Sequence, residues 1–321
     1  MDSLPRGANF QRFKTLWEIG LHVAADPAAR RTGNREVFIA IGNGSQEKFR
    51  PSLRMATGSP LLAYDVARGE LDAAIVNPSA LLTQAYRGTG IFSEPLPVRV
   101  LANYPSWDRF VCAVHPRTGL TSIGQIKEQR YPLRLSIRQD PGHATRMLID
   151  QILPAYDFTL RDLESWGGSF HFTTGPGDQE RIAGMQDGTI DAVFDEGIST
   201  WLAPALAAGL SPVTLEEQVL RRLEGTGWRR VFIPANRFPA LKSDHLCLDF
   251  GGWPLYARAS LPDEQAYQIC DALKAREAFI PWDERAYTGL DQLGRNTEAT
   301  PLDVPLHPGA ARWYREQGFS V

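Results

Sequence analysis

Three short segments, Thr57-Gly58-Ser59, Asn77-Pro78-Ser79 and Gly142-His143-Ala144-Thr145, stand where an apolar run gives way to a helical one. The start of a helix presents unpaired N–H groups and a partial positive charge. It can therefore hold a carboxylate or a phosphate without any full cation. In open α/β sheets ligands meet the chain at such places, beyond the carboxyl ends of the strands. Ser59, Asn77, Ser79, Gly142, His143 and Thr145 are accordingly candidate ligand-binding residues. The competing reading is plain helix capping, which any Ser or Thr performs at such a position.

Charged and aromatic candidates stand beside them. Arg138 closes an apolar run just before the third segment, and its planar fork could clamp a carboxylate at two points. His143 could donate as a neutral imidazole or carry a charge near neutral pH. Asp195-Glu196 follow another apolar run; Glu196 could receive a ligand ammonium or, in an enzyme, act as a general base. Trp253, after Gly251-Gly252, could wall a pocket together with Tyr104 and Trp107. Surface ion pairing and core packing are the ordinary alternatives for each.

Several chemistries find no support. There is no Gly-x-Ser-x-Gly elbow, no HExxH, no P-loop and no GxGxxG after a strand. Gly167-Gly168-Ser169 and Thr173 to Gly177 are glycine-rich but lack the lysine of a phosphate loop. Cys112, Cys247 and Cys270 lie far apart, form no CxxC and are expected as packed thiols. Neither a cofactor nor a metal is expected. The net charge is −3 with no basic run, which argues against nucleic acid as a partner. No segment approaches the ~20 apolar residues of a membrane span, so membrane insertion is not expected. The opening Met1 to Gly7 has no basic stretch leading into an apolar one, so the chain as written is expected in the cytoplasm. A start further upstream would make it periplasmic.

The elements that must position these residues follow a repeated joint. Gly69-Glu70-Leu71-Asp72-Ala73 and Gly188-Thr189-Ile190-Asp191-Ala192 each end a helix at glycine and pass into an apolar strand. A chain of 321 residues is about two domains by size, and the matched joints predict two α/β lobes. Lobe one is expected to hold 1–114 and 216–321, and lobe two 115–215. The crossings are then expected near Val111 to Val114 and Leu215 to Ile233, with a cleft between the lobes. An amphipathic helix is expected from Phe10 to Ala25, a strand over Val37 to Ile41, and a broken crossing strand around Gly251-Gly252.

The tail from Pro305 to Phe319, with Leu306-His307-Pro308-Gly309-Ala310 and Trp313-Tyr314, resembles the ending of the TAXI family. These are solute-binding subunits of tripartite ATP-independent periplasmic (TRAP) transporters. Thr57-Gly58-Ser59 with Gly69-Glu70-Leu71-Asp72, the Ala85-Tyr86-Arg87-Gly88 turn, Gly188 to Ala192, and Pro262-Asp263-Glu264 are similar to that family in the same order. The resemblance spans 55–321. It implies a type II periplasmic-binding-protein fold, a small anionic ligand in the cleft, and TRAP membrane subunits as partners if the protein is exported. It places His307 in a structural role that fixes the last helix across the lobes. Arg6 to Asn9 stands where such proteins carry a glycine-rich ligand loop, and Gln46 to Met55 reads as an added stretch. Binding of an organic acid or acidic amino acid is the first functional expectation. A decarboxylase or isomerase on the same scaffold, with His143 and Asp195 or Glu196 as acid and base, is the second, and a cytoplasmic sensor is the third.

Overall fold

The computed structural model describes Arg12, Leu16, Trp17, Ile19, Gly20, residues 37–42 and residues 51–321. The five isolated N-terminal positions are helical, while the expectations for 6–9, 21–36 and 43–50 lie outside the described residues. The strands are β1 (Val37–Gly42), β2 (Pro51–Thr57), β3 (Ala73–Ile75), β4 (Val98–Tyr104), β5 (Arg109–Val114), β6 (Arg134–Arg138), β7 (Ser169–Thr173), β8 (Ala192–Asp195), β9 (Ser211–Val213), β10 (Arg230–Ile233), β11 (His245–Asp249) and β12 (Trp253–Arg258). The α-helices from residue 51 onward are α1 (Leu62–Arg68), α2 (Ser79–Arg87), α3 (Gly124–Glu128), α4 (Ala144–Ile152), α5 (Leu160–Ser165), α6 (Gln179–Asp187), α7 (Ile198–Ala207), α8 (Glu217–Thr226), α9 (Asp263–Ala275) and α10 (Pro308–Glu316).

Two sheets result, as the α/β two-lobe expectation requires. The first has the order β1-β2-β3-β12-β4. The second has the order β10-β11-β5-β8-β6-β7, with β9 also paired to β5. Both glycine joints form as the sequence predicts: Gly69 (φ 78°) ends α1 and Gly188 (φ 84°) ends α6 in the left-handed region that glycine enters without strain. The aspartate of each joint ties the new strand to its neighbour. Asp72 accepts the backbone N–H of Arg54 at 2.8 Å and Nη1 of Arg258 at 3.0 Å. Asp191 accepts the backbone N–H of Arg134 at 3.2 Å, its Nε at 2.7 Å, and Nη2 of Arg117 at 3.0 Å.

The crossings lie elsewhere than the hydrophobic pattern suggests. β5 is buried along its whole length, between β8 on one side and β9 and β11 on the other, so Val111 to Val114 cannot serve as a linker. β10 and β11 extend the same sheet, with Leu248 opposite Phe110 and Asp249 opposite Arg109. By sheet membership the chain passes between lobes at 105–108 and again at 250–252. The break at Gly251-Gly252 falls within the second passage. There the two passages touch backbone to backbone: Gly252 N–H donates to Ser106 O at 3.1 Å and Phe250 N–H to Asp108 O at 3.1 Å. A Cβ on Gly251 would meet Ser106 O at 2.6 Å, and one on Gly252 would meet Ser79 Oγ at 2.4 Å.

One apolar core cluster runs through both lobes. It includes Leu81 and Ala85 of α2, Ile149 and Ile152 of α4, and Phe110 and Phe250 beside the crossings. Gln84 Nε2 and Trp228 Nε1 both donate to Gln151 Oε1, at 3.1 and 3.2 Å, so polar contacts reinforce this junction. The other faces of the sheets carry their own cores, around Trp313 and Tyr314 in the first lobe and around Trp201 and Leu202 in the second. The tail stays within the first lobe. His307 N–H donates to Val100 O at 2.8 Å, its Nδ1 caps α10 at Gly309, and a Cβ on Gly309 would meet Asp263 O at 2.0 Å. His307 is therefore structural, but it fixes the last helix to β4 and α9 rather than across the lobes.

Candidate functional site

Three parallel strands of the second lobe end side by side. Arg138 at the end of β6 is level with Thr173 of β7, and β8 ends beside them at Asp195. This edge is where an open α/β sheet offers a ligand site. Its charged groups are engaged with one another. Arg138, 3% exposed, donates from Nε to Asp195 Oδ1 at 2.9 Å, from Nη2 to Glu196 Oε1, and from Nη1 to Thr174 O at 3.3 Å. Arg181 enters from α6 and donates to Asp195 Oδ2 at 2.6 Å, Ser136 Oγ at 2.9 Å and Thr173 Oγ1 at 3.0 Å. Asp195 thus bridges two buried guanidinium groups. The fork of Arg138, read from sequence as a ligand clamp, is filled by Asp195 and Glu196.

Glu196 has a second carboxyl neighbour that the sequence does not announce. Asp108, in the first crossing, accepts N–H groups from Arg109 at 2.7 Å, Gly197 at 2.8 Å and Ile198 at 3.3 Å, and so caps α7. Its carboxyl group is hydrogen-bonded to that of Glu196. Desolvation, then the charge of Asp108, raises the pKa of Glu196 well above its ordinary value; desolvation likewise raises that of Asp108. Two carboxyl groups in contact cannot both ionise cheaply, so the pair holds a proton between them. Arg109, the first residue of β5, pairs with Asp249 at 3.0 Å and with Glu298. It ties both crossings to the segment before the tail.

The helix starts divide into engaged and open ones. Ser59 Oγ accepts the N–H of Leu61 at 3.2 Å, a cap for the turn into α1. Ser79 is buried; its N–H donates to Gly251 O at 3.2 Å and its Oγ accepts from Asn103 Nδ2 at 3.1 Å. Asn77 precedes a cis peptide bond to Pro78, and its Oδ1 is buried without a hydrogen-bond partner. At the start of α4, His143 Nδ1 accepts the N–H of Thr145 at 3.2 Å, and Gly142 N–H donates to Asp140 Oδ1 at 2.8 Å. Thr145 is 0% exposed and its Oγ1 has no partner. Arg146, which the sequence reading missed, donates from Nη1 to Arg138 O at 2.9 Å. Its Nε is buried without a hydrogen-bond partner, and the carboxylates of Asp150 and Asp140 stand near enough to favour its charged form. Desolvation lowers its pKa. The signal available in sequence was only its place one residue after Thr145.

The aromatic candidates separate as well. Trp253 stacks on Tyr104 at 4.8 Å and 9°, Tyr104 on Trp282 at 5.1 Å, and Trp282 on Tyr287 at 4.3 Å. Trp253 ends this four-ring stack and is 37% exposed. Trp107 lies between the guanidinium groups of Arg109 and Arg237, at 4.4 and 4.2 Å, and donates from Nε1 to Glu298 at 2.8 Å. It is built into the crossing.

A family model described as NMT1-like matches residues 40–318. The chain belongs to the NMT1-like family. The narrower TAXI resemblance of the tail goes beyond what this family description specifies. The NMT1-like chain is also similar to solved structures, all at low identity. A putative sulfonate ABC transporter's periplasmic sulfonate-binding protein, SsuA from Methylobacillus flagellatus, is 14% identical over 72% of this chain and 58% of its own, with a TM-score of 0.35. The alkanesulfonate-binding protein SsuA from Xanthomonas axonopodis pv. citri, bound to MOPS, is 14% identical over 69% and 63%, with a TM-score of 0.27. Lactococcal OpuAC complexed with glycine betaine is 13% identical over 81% and 82%, with a TM-score of 0.36. The NMT1-like chain thus spans about three-fifths of the length of the first two, 58% and 63%. The chain itself folds as two α/β lobes joined by two crossings.

Proposed function

We propose that this NMT1-like protein is a solute-binding protein that closes its lobes over a small anionic organic acid. The observation that carries the reading is the start of α4. There a fully buried hydroxyl, Thr145 Oγ1, and the neighbouring buried Nε of Arg146 both lack a partner. A buried polar group left unpaired costs about 1–3 kcal/mol, and an anion's oxygens would satisfy both at once. The partial positive charge of the helix end adds to the attraction. Asn77 before α2 would meet the far side of the ligand, and the exposed face of Trp253 would exclude water. Arg138 and Glu196 act here by holding the strand edge in place, not by touching the ligand. Such a role implies periplasmic work beside membrane transporter subunits.

An acid–base enzyme built on His143 with Asp195 or Glu196 is less well supported. His143 Nδ1 is occupied by the cap of α4, and Asp195 is held by two arginines. The test is calorimetric titration of purified protein with sulfonates, mono- and dicarboxylates and acidic amino acids. Saturable one-to-one binding of one class, weakened at least tenfold by Thr145→Val, is the expected result. No heat from any anion overturns the reading.

A further inference from the structure

The outer edge of the second sheet carries a polar cluster separate from the ion pairs at the strand ends. β7 is the edge strand, and its side chains alternate between faces. Phe172 meets Arg146 of α4, whereas His171 faces the start of α6. His171, Asp178 and Glu180 each bring one ligand-type atom there, and these atoms all lie within 4.8 Å of one another. The Nε2 of His171 is buried and has no hydrogen-bond partner. Asp178 is already oriented: its Oδ1 accepts the N–H groups of Glu180 at 2.9 Å and Arg181 at 3.2 Å, so its other oxygen is not used by the cap.

We propose that His171, Asp178 and Glu180 form a binding site for a divalent transition-metal ion of the Zn2+ class. One imidazole nitrogen and two carboxylate oxygens are a three-ligand set that leaves room for water at the remaining position. With metal–ligand bonds of about 2.0–2.2 Å, tetrahedral ligand atoms stand about 3.3 Å apart. Glu180 is exposed and can close that gap by changing rotamer. The two carboxylates offset the charge of the ion.

The ion would fasten β7 to α6 across the loop 174–178. That loop supports the strand edge described above: Thr174 O accepts from Arg138 at 3.3 Å and Pro176 O from Arg181 at 3.4 Å. Metal binding would thus stiffen the frame behind the cleft without entering it.

The experiment uses untagged full-length protein stripped with a chelator and titrated with Zn2+ by calorimetry and thermal melting. One site of micromolar affinity or tighter is expected. The affinity should fall at least tenfold in both His171→Ala and Glu180→Gln, and added Zn2+ should raise the melting temperature of the wild type alone. Melting in chelator shows whether each variant is folded; should His171→Ala be unstable, the exposed Glu180→Gln carries the test. Saturation only at millimolar Zn2+, or equal affinity in wild type and folded variants, overturns the proposal.

Discussion

The starts of α2 and α4 share a sequence signature, an apolar strand followed by small polar residues and an amphipathic helix, yet the fold uses them differently. At α2 the polar groups of Ser79 are turned inward, to Gly251 and Asn103, because the second crossing passes directly over the helix end. At α4 the cap is completed locally by His143, and Thr145 and Arg146 keep buried polar atoms that nothing satisfies. A helix end beside a crossing has its polar groups taken up by the crossing. The helix end away from it keeps buried polar atoms without hydrogen-bond partners.

The contrast can be broken most forcefully at the first of these ends. Gly252→Ala places a Cβ 2.4 Å from Ser79 Oγ at a backbone φ of 71°, and should cost about 3 kcal/mol in denaturant unfolding. At the other end, Thr145→Val should stabilise the free protein by about 1–3 kcal/mol, since it removes a buried hydroxyl that had no partner, while ligand affinity falls at least tenfold. A large loss of stability there would show that the two ends are alike after all.

Between them lies the Asp108–Glu196 pair, which joins a crossing to the strand edge. Its folded-state pKa is raised, so the folded protein binds a proton that the unfolded chain releases above about pH 4.5. The stabilisation is complete below that pH and is lost as pH rises through the folded value, with a slope of at most about 1.4 kcal/mol per pH unit. Glu196→Gln should flatten this decline when unfolding is measured between pH 5 and 8. The smallest effect is expected for Ser79→Ala. It removes the acceptor for one of two bonds from Asn103 Nδ2 and should cost about 1 kcal/mol, with ligand affinity unchanged.

The sequence made the two glycine joints and the break at Gly251-Gly252 legible, because each rests on residues within one turn of chain. It failed for β5, β10 and β11. An apolar run such as Val111 to Val114 looks the same whether it links two lobes or fills the middle of a sheet. It failed also for Arg138, whose partners Asp195 and Glu196 stand 57 and 58 residues away. Asp108 and Arg181 carried no pattern at all, since their roles depend on elements that meet only after folding.

What the sequence determined by itself was the two glycine joints and several of the places where helices begin, because hydrophobic period, glycine φ and capping are properties of short stretches. Which of those beginnings remained open was decided by the tertiary structure alone. Ser79 is engaged through Asn103, 24 residues on, and Asn103 in turn through Pro301, 198 residues beyond that. A buried donor finds or lacks a partner according to what the whole chain brings beside it, and short-range patterns hold no record of that.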